Sequence, residues 1–175
     1  NTAGVGGAGA PNAILGSATT YAGGGGGATF NGTTGAGGAG GGGASSGSCA
    51  NGNPGTANTG GGAGGAPGQC TITGGNGGPG IVVARAPSTA GIFMTTCSAC
   101  APVTSTDGQN TIAKFKASSN LNILDTGCAT AFDYLVVAGG GSGGTDAAGG
   151  GGAGGYRSSF PGGTKLFLQP GPHAI

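Results

Sequence analysis

The large apolar residues of this chain never recur at helical spacing; they gather into a few short runs set between glycines. "GIVVAR" at 80–85 is one such run, and "FDYLVV" at 132–137 is another. "NTIAKFKASSNLNIL" at 110–124 sets Lys114 and Lys116 around Phe115 after Ile112, and "GGTKLFLQPG" at 162–171 closes the series. Short runs rich in β-branched and aromatic residues predict strands. Turn residues stand where hairpins need them, "TDGQN" at 106–110 and "DTG" at 125–127. The expected fold is therefore mostly β and irregular, with no α-helix.

The pattern divides the chain into three textures. Residues 1–80 are glycine-rich, interrupted by "AILGSATTYA" and "TITGG"; residues 81–137 hold nearly all the strand signals; residues 138–175 return to glycine and end in the last strand. Of 175 residues 49 are Gly, while 5% are charged and 5% aromatic, which no ordinary globular domain matches. The net charge of +1 gives no repulsion to keep the chain expanded, opposes association weakly, and provides no basic stripe for phosphates, so nucleic acid is not an expected partner. No stretch approaches the roughly 18 to 20 apolar residues of a membrane span, so membrane insertion is not expected. There is no initiator Met and no signal-like start, as in a processed chain or a fragment.

An ordered glycine run must recover a large backbone entropy by hydrogen bonding on all sides. The polyproline II conformation permits this, because about three residues complete a turn and every N–H and C=O points outward. Helices of this kind bond side by side only where Gly allows close approach. A sequence period of three should follow, with side chains confined to an outward edge. Val5 and Ala8, Ala36 and Ala39, Ala63 and Ala66, Asn76 and Pro79, and Ala153 and Tyr156 all stand three apart between glycines. Short strands framing a bundle of polyglycine II helices are the expected architecture, with residues 35–43, 60–68 and 149–155 among the helices. Collagen is excluded, since no unbroken Gly-X-Y register is present.

Five cysteines, Cys49, Cys70, Cys97, Cys100 and Cys128, point to an oxidising, extracellular setting. Cys49 and Cys70 flank a glycine-rich excursion and are the first disulfide candidate; Cys97 with Cys100 is the second, leaving Cys128 over. A zinc site is not expected, because Cys97-x-x-Cys100 has only Cys128 nearby and the one His, His173, is terminal.

Candidate catalytic chemistry is thin. "DYLVVAGGGSGG" at 133–144 places Gly139, Gly141 and Gly144 in a G-x-G-x-x-G frame after a strand. A dinucleotide site needs a following helix to receive the pyrophosphate, and "GGTDAAGGGGAGG" cannot form one at about 1 kcal/mol per Gly. The four Asp, at 107, 125, 133 and 146, are scattered singly, which suits turn capping and not paired-carboxylate catalysis. His173 reads as a solvated terminal residue, and Asn31-Gly32-Thr33 fits a glycosylation pattern. Tyr21, Phe30 and Phe160 adjoin glycine runs; an aromatic there either contacts a ligand at the bundle tip or closes the bundle end, the second being favoured.

Taken together, "DYLVVAGGGSGG", "GGGGAGGYRSS", "GGNGGPGIVVAR", "TDGQNTIAKFKASSNLNIL" and "TYAGGGGG" resemble the glycine-rich domain of bacteriophage tail-fibre and tail-tip proteins. The resemblance implies a β-flanked glycine-rich body, in some members a sandwich of polyglycine II helices. It also implies display at a fibre end, host-surface recognition through loops at the bundle's tip, and no catalysis. Two departures stand out: Ala86 follows Arg85 where an aromatic is usual, and the closing strand at 80–85 precedes the opening one at 133–141. The reversed order makes residues 1–85 the back of one module and 133–175 the front of another. The front is expected to complete the back either within a permuted bundle or, preferably, against a neighbouring copy.

The resulting expectation is a non-enzymatic structural and adhesive module without cofactor or metal, extracellular or on a virion. Its expected partners are other copies of itself and a host cell-surface carbohydrate or protein. A secreted glycine-rich filament and an ice-binding polyglycine II protein are the alternatives.

Overall fold

The computed structural model describes residues 1–68, 70–90, 92–93, 103–123 and 129–175. Cys97, Cys100, Cys128, Asp125 and the turn expected at 125–127 lie outside the described residues. Among the described residues the chain is β-strand and irregular backbone, with a single 3-10 turn at Ser88–Ala90 as its only helical element. It forms two units. The first comprises residues 1–12, 19–80 and 137–156; the second comprises 13–18, 81–136 and 157–175.

The first unit holds the short hairpin β1 (Ala10–Asn12) and β2 (Thr19–Tyr21), but most of it consists of glycine-rich segments outside any strand. Their backbone bonds recur every third residue. Ala3, Gly6 and Gly9 donate to the carbonyls of Thr33, Ala36 and Ala39, so these two segments run parallel. Ala138, Gly141 and Gly144 donate to Gly155, Gly152 and Gly149, so those two run antiparallel. A β-ladder uses its bonds with a period of two, so a period of three sets these segments apart from strands.

Residues 60–67 form the centre of this unit and are buried at every position. Successive N–H groups of Gly62, Ala63 and Gly64 donate to Gly23, Gly141 and Asn53, and Gly65 and Ala66 return to Gly26 and Gly144. The carbonyls of Gly61, Gly62, Ala63 and Gly64 accept from Gly78, Gly43, Gly151 and Gly75. The segment thus bonds to its surroundings in every direction across its axis.

Three sequence expectations need correction here. Ala63 and Ala66 are wholly buried, each at 0% exposure, so a third-residue side chain is not confined to an outward edge; a methyl fits where the neighbouring segments leave a channel. The spans 35–43 and 60–68 are not uninterrupted, because Gly40 and Gly41 (φ 99° and 94°) and Gly60 (φ 65°) form left-handed turns. The front of the chain completes the back within the same molecule: residues 138–144 and 149–154 bond to residues 60–66 and 75–78.

The second unit is built as the hydrophobic pattern dictates. Its larger sheet contains, in order, β10 (Leu166–Leu168), β8 (Thr130–Val137), β3 (Ile81–Pro87), β6 (Asn110–Phe115) and β5 (Val103–Thr106), and β9 (Tyr156–Ser158) also pairs with β8. The smaller sheet contains β11 (Gly171–Ala174), β7 (Asn120–Ile123) and β4 (Ile92–Phe93). Leu121 and Ile123 alternate with Asn120 and Asn122 along β7 and pack with Ala84, Ala113, Phe115 and Phe132 of the larger sheet. The core therefore lies between the sheets.

Polar clamps fix the edges of this unit. In the turn after β5, the Asn110 side-chain and backbone N–H groups donate to Asp107 and hold its carboxyl below the usual range. Arg85 donates to Asp107 (2.6 Å) and to the Ile14 carbonyl (3.0 Å) and lies 5.0 Å from the Phe160 ring centroid. Asp133 departs from the expected turn-capping role: it is 8% exposed on β8, accepting from Ser159 Oγ at 3.1 Å and Lys165 Nζ at 2.7 Å. His173, on β11, pairs with Leu121 of β7, and its Nε2 lies 2.8 Å from the Gln169 carbonyl oxygen.

The close approach of glycine segments yields a paired prediction. A Cβ at Gly25 would overlap the Ala63 carbonyl, whereas one at Gly152 meets nothing within 4 Å. Gly25→Ala is expected to destabilise by about 3 kcal/mol or more, and Gly152→Ala to stay within about 1 kcal/mol of wild type. Urea unfolding of the two variants checks this, and equal effects contradict the packing.

Candidate functional site

Because glycine segments cross the first unit in alternating directions, their connections collect at its ends. The residue 29–33 turn follows segment 23–28, whose Gly27 bonds to Gly4, and Thr33 bonds back to Asn1 and Ala3. The 144–148 turn lies beside the end of segment 60–67, with Ala66 donating to Gly144 and Ala147 donating to Ala66. Ala28 also donates to Ala148, which brings the 29–33 turn to the same end. The loop at 46–51 and residues 70–72 join them there: Cys49 and Cys70 form a disulfide with Cα atoms 5.2 Å apart, and Asn51 Oδ1 accepts from Thr73 N–H at 2.9 Å.

This end carries unusual backbone. Cys49, Asp146 and Ala147 have φ of 57°, 62° and 55°, a left-handed conformation that costs a non-glycine residue on the order of 1 kcal/mol. Gly68 leaves no room for a side chain because Asp146 packs directly against it. In the segment just inside the loops, the Ser45 hydroxyl is buried and accepts the Gly35 N–H at 3.0 Å. Such loops hold their shape through local polar bonds and a covalent tie.

Next to the disulfide, a polar groove of about 300 Å³ is lined by Asn51, Pro54, Thr73, Asn76 and the backbone of Gly52, Gly74 and Gly75. Asn51, Thr73 and Asn76 are exposed. Amide and hydroxyl groups offer both donors and acceptors without charge, which suits a neutral hydroxyl-rich ligand.

The three aromatics singled out in the sequence separate. Phe30 lies in the 29–33 turn and is 55% exposed, so it stands at the loop end. Tyr21 is 2% exposed at the close of β2, too deep to touch a ligand. Burial raises its phenol pKa, aided by nearby Tyr156 and opposed by a hydrogen bond with Thr19; Tyr156 in turn accepts a hydrogen bond from Asn12 Nδ2 at 2.8 Å. Phe160 belongs to the second unit, beneath Arg85. The groove at Asn51 and Asn76 was not visible in the sequence, because two asparagines 25 apart carry no periodic signal.

The G-x-G-x-x-G frame has a structural use. Gly140, Gly141, Gly143 and Gly144 donate their N–H groups to Gly78, Gly152, Gly75 and Gly149, so those donors are already committed and cannot cradle a phosphate.

Residues 1–87 match the model of a family described as a glycine-rich domain; the match ends at Pro87, the last residue of β3. No curated protein and no solved structure matches the chain.

Two measurements follow from this geometry. Removing the Cys49–Cys70 bridge, which closes a 21-residue separation, is expected to cost about 3 kcal/mol; denaturation of the Cys49→Ser/Cys70→Ser double variant reads it. Tyr21, with its raised pKa, contributes stability that is fully present below the ordinary phenol pKa and is lost as pH rises through the higher folded value. Tyr21→Phe should therefore flatten the decline in unfolding free energy as pH rises above about 10. Parallel wild-type and Tyr21→Phe curves would contradict this.

Proposed function

We propose that the first unit is a polyglycine II bundle and that the chain is a non-enzymatic adhesive module of an extracellular fibre. On this reading it serves as a phage tail-fibre glycine-rich module that attaches to a host surface. The observation that carries the reading is the third-residue hydrogen bonding around residues 60–67. A rod bonded across its axis in all directions is stiff, and stiffness is what a loop-bearing tip needs, since a preorganised surface spends less of its contact energy on ordering. The disulfide at the loop end accords with an oxidising compartment. The resemblance of the strand-glycine motifs to tail-tip proteins supplies the viral setting.

The ligand class that fits the loop end is a surface carbohydrate. The groove between Asn51 and Asn76 supplies uncharged hydrogen-bonding groups, and the exposed ring of Phe30 offers a face on which a sugar can stack. Catalysis plays no part in this reading.

Binding of the purified chain to arrays of bacterial surface polysaccharides tests the proposal. Phe30→Ala and Asn76→Ala are each expected to lower binding about tenfold while leaving the unfolding midpoint unchanged. Binding that ignores both variants would remove the loop end from the site, and freezing hysteresis without glycan binding would favour an ice-binding role. Backbone dihedrals near −75° and +145°, measured by NMR across residues 61–67, are the signature expected of the bundle.

A further inference from the structure

The second unit contains a cavity that neither the bundle nor the adhesive reading uses. Phe132, Tyr134 and Val136 alternate along one face of β8, and Leu166 pairs with Phe132 across β10. Leu121 and Ile123 of the smaller sheet pack against Phe132. Toward Val136 and Leu166 the same face is uncovered: these residues are 40% and 47% exposed. The result is an apolar cavity of about 370 Å³ whose lining includes Phe132, Tyr134, Val136, Arg157, Leu166 and Leu168. Its size falls within the range of small-molecule sites, roughly 300 to 1,000 Å³.

Arg157 is the one charged side chain in this lining. Arg157 lies on β9, and its guanidinium forms no ion pair with any described residue. The carboxylates of the unit that are described are committed elsewhere, Asp107 to Arg85 and Asp133 to Lys165. Ile175, also at the cavity, has its carbonyl oxygen bonded to the Ser119 N–H. Tyr134 also lines the cavity, and a phenol is a second group able to hydrogen-bond an anionic head. An apolar chamber bordered by an unpaired guanidinium and a phenol is complementary to a ligand with a hydrocarbon body and an anionic head, since guanidinium matches a carboxylate in charge and in forked geometry.

We propose that this cavity binds small amphipathic carboxylates of the straight-chain fatty-acid class, with the chain between Phe132, Val136, Leu166 and Leu168 and the head group on Arg157 and Tyr134. The exposed apolar side chains of β8 and β10 are then the walls of a ligand site.

Titration of the full chain with octanoate, followed by calorimetry and by methyl NMR, tests this. Octanoate is expected to shift the methyl signals of Val136, Leu166 and Leu168, and Arg157→Gln to weaken binding about tenfold or more. Leu166→Glu, which places a like charge at the rim, is expected to abolish binding while preserving the unfolding midpoint. Octylammonium is expected not to bind. Octanol binding as tightly as octanoate, equal affinity of wild type and Arg157→Gln, or octanoate leaving those methyls unmoved would each overturn the proposal. None of these outcomes depends on whether the loop end recognises a glycan.

Discussion

The carbonyl oxygen of one glycine segment lies where a side chain of its neighbour would begin, and the rest of the first unit depends on that approach. At Gly25 the space belongs to the Ala63 carbonyl, at Gly62 to that of Gly151, and at Gly64 to that of Ala44. Backbone separation this short lets every segment serve as the hydrogen-bonding environment of the next, replacing water and side chains alike. Ordering glycine costs more conformational entropy than ordering any other residue, and a hydrophobic core of the usual kind is not there to offset it. Dense backbone bonding with close van der Waals contact supplies the compensation. Burial of Ala63 and Ala66 at the centre shows how little side-chain volume the arrangement tolerates.

The second unit obeys a different rule. Its strands bury Leu, Ile, Phe and Val between two sheets, as an ordinary β domain does, and its few charges serve as clamps. Arg85 holds the Ile14 carbonyl, the Asp107 carboxylate and the Phe160 ring, joining residues 13–18 and 157–175 to the central strand β3. Asp133 does the same for the stretch after β9, through Ser159 and Lys165. Among the described residues Arg85 and Lys165 are paired with aspartates, whereas Arg157 forms no ion pair.

A division of labour follows between the units. Backbone bonding yields a stiff body whose variable chemistry is confined to its connections, where non-glycine residues in left-handed conformation and a disulfide fix the loops. Side-chain packing yields a sandwich with room for an apolar cavity. Under the two proposals, a ligand meets loops in the first unit and side chains in a chamber in the second.

Much of this was legible in the residue order. The runs around Ile81, Ile112 and Leu135 became strands because short alternating apolar stretches bury one face only when extended, and the scarcity of helix formers between glycines kept α-helix out. Hydrogen bonds that recur every third residue run alongside the third-residue spacing of the sequence, and Cys49 and Cys70 foretold a bridge across the excursion they flank. Short hairpin strands such as Ala10–Asn12 and Thr19–Tyr21 were not legible, because "APN" and "TTY" carry no alternation of their own and pair only by tertiary placement. Tertiary structure alone decided that Tyr21 is interior while Phe30 is at a loop tip, since both simply adjoin glycine in the sequence. It alone decided that residues 138–155 close onto residues 60–67 of the same chain, because a period of three fixes how a segment bonds but not which neighbour it meets. That choice rests on which segments the turns bring side by side, a property of the folded path and not of local spacing.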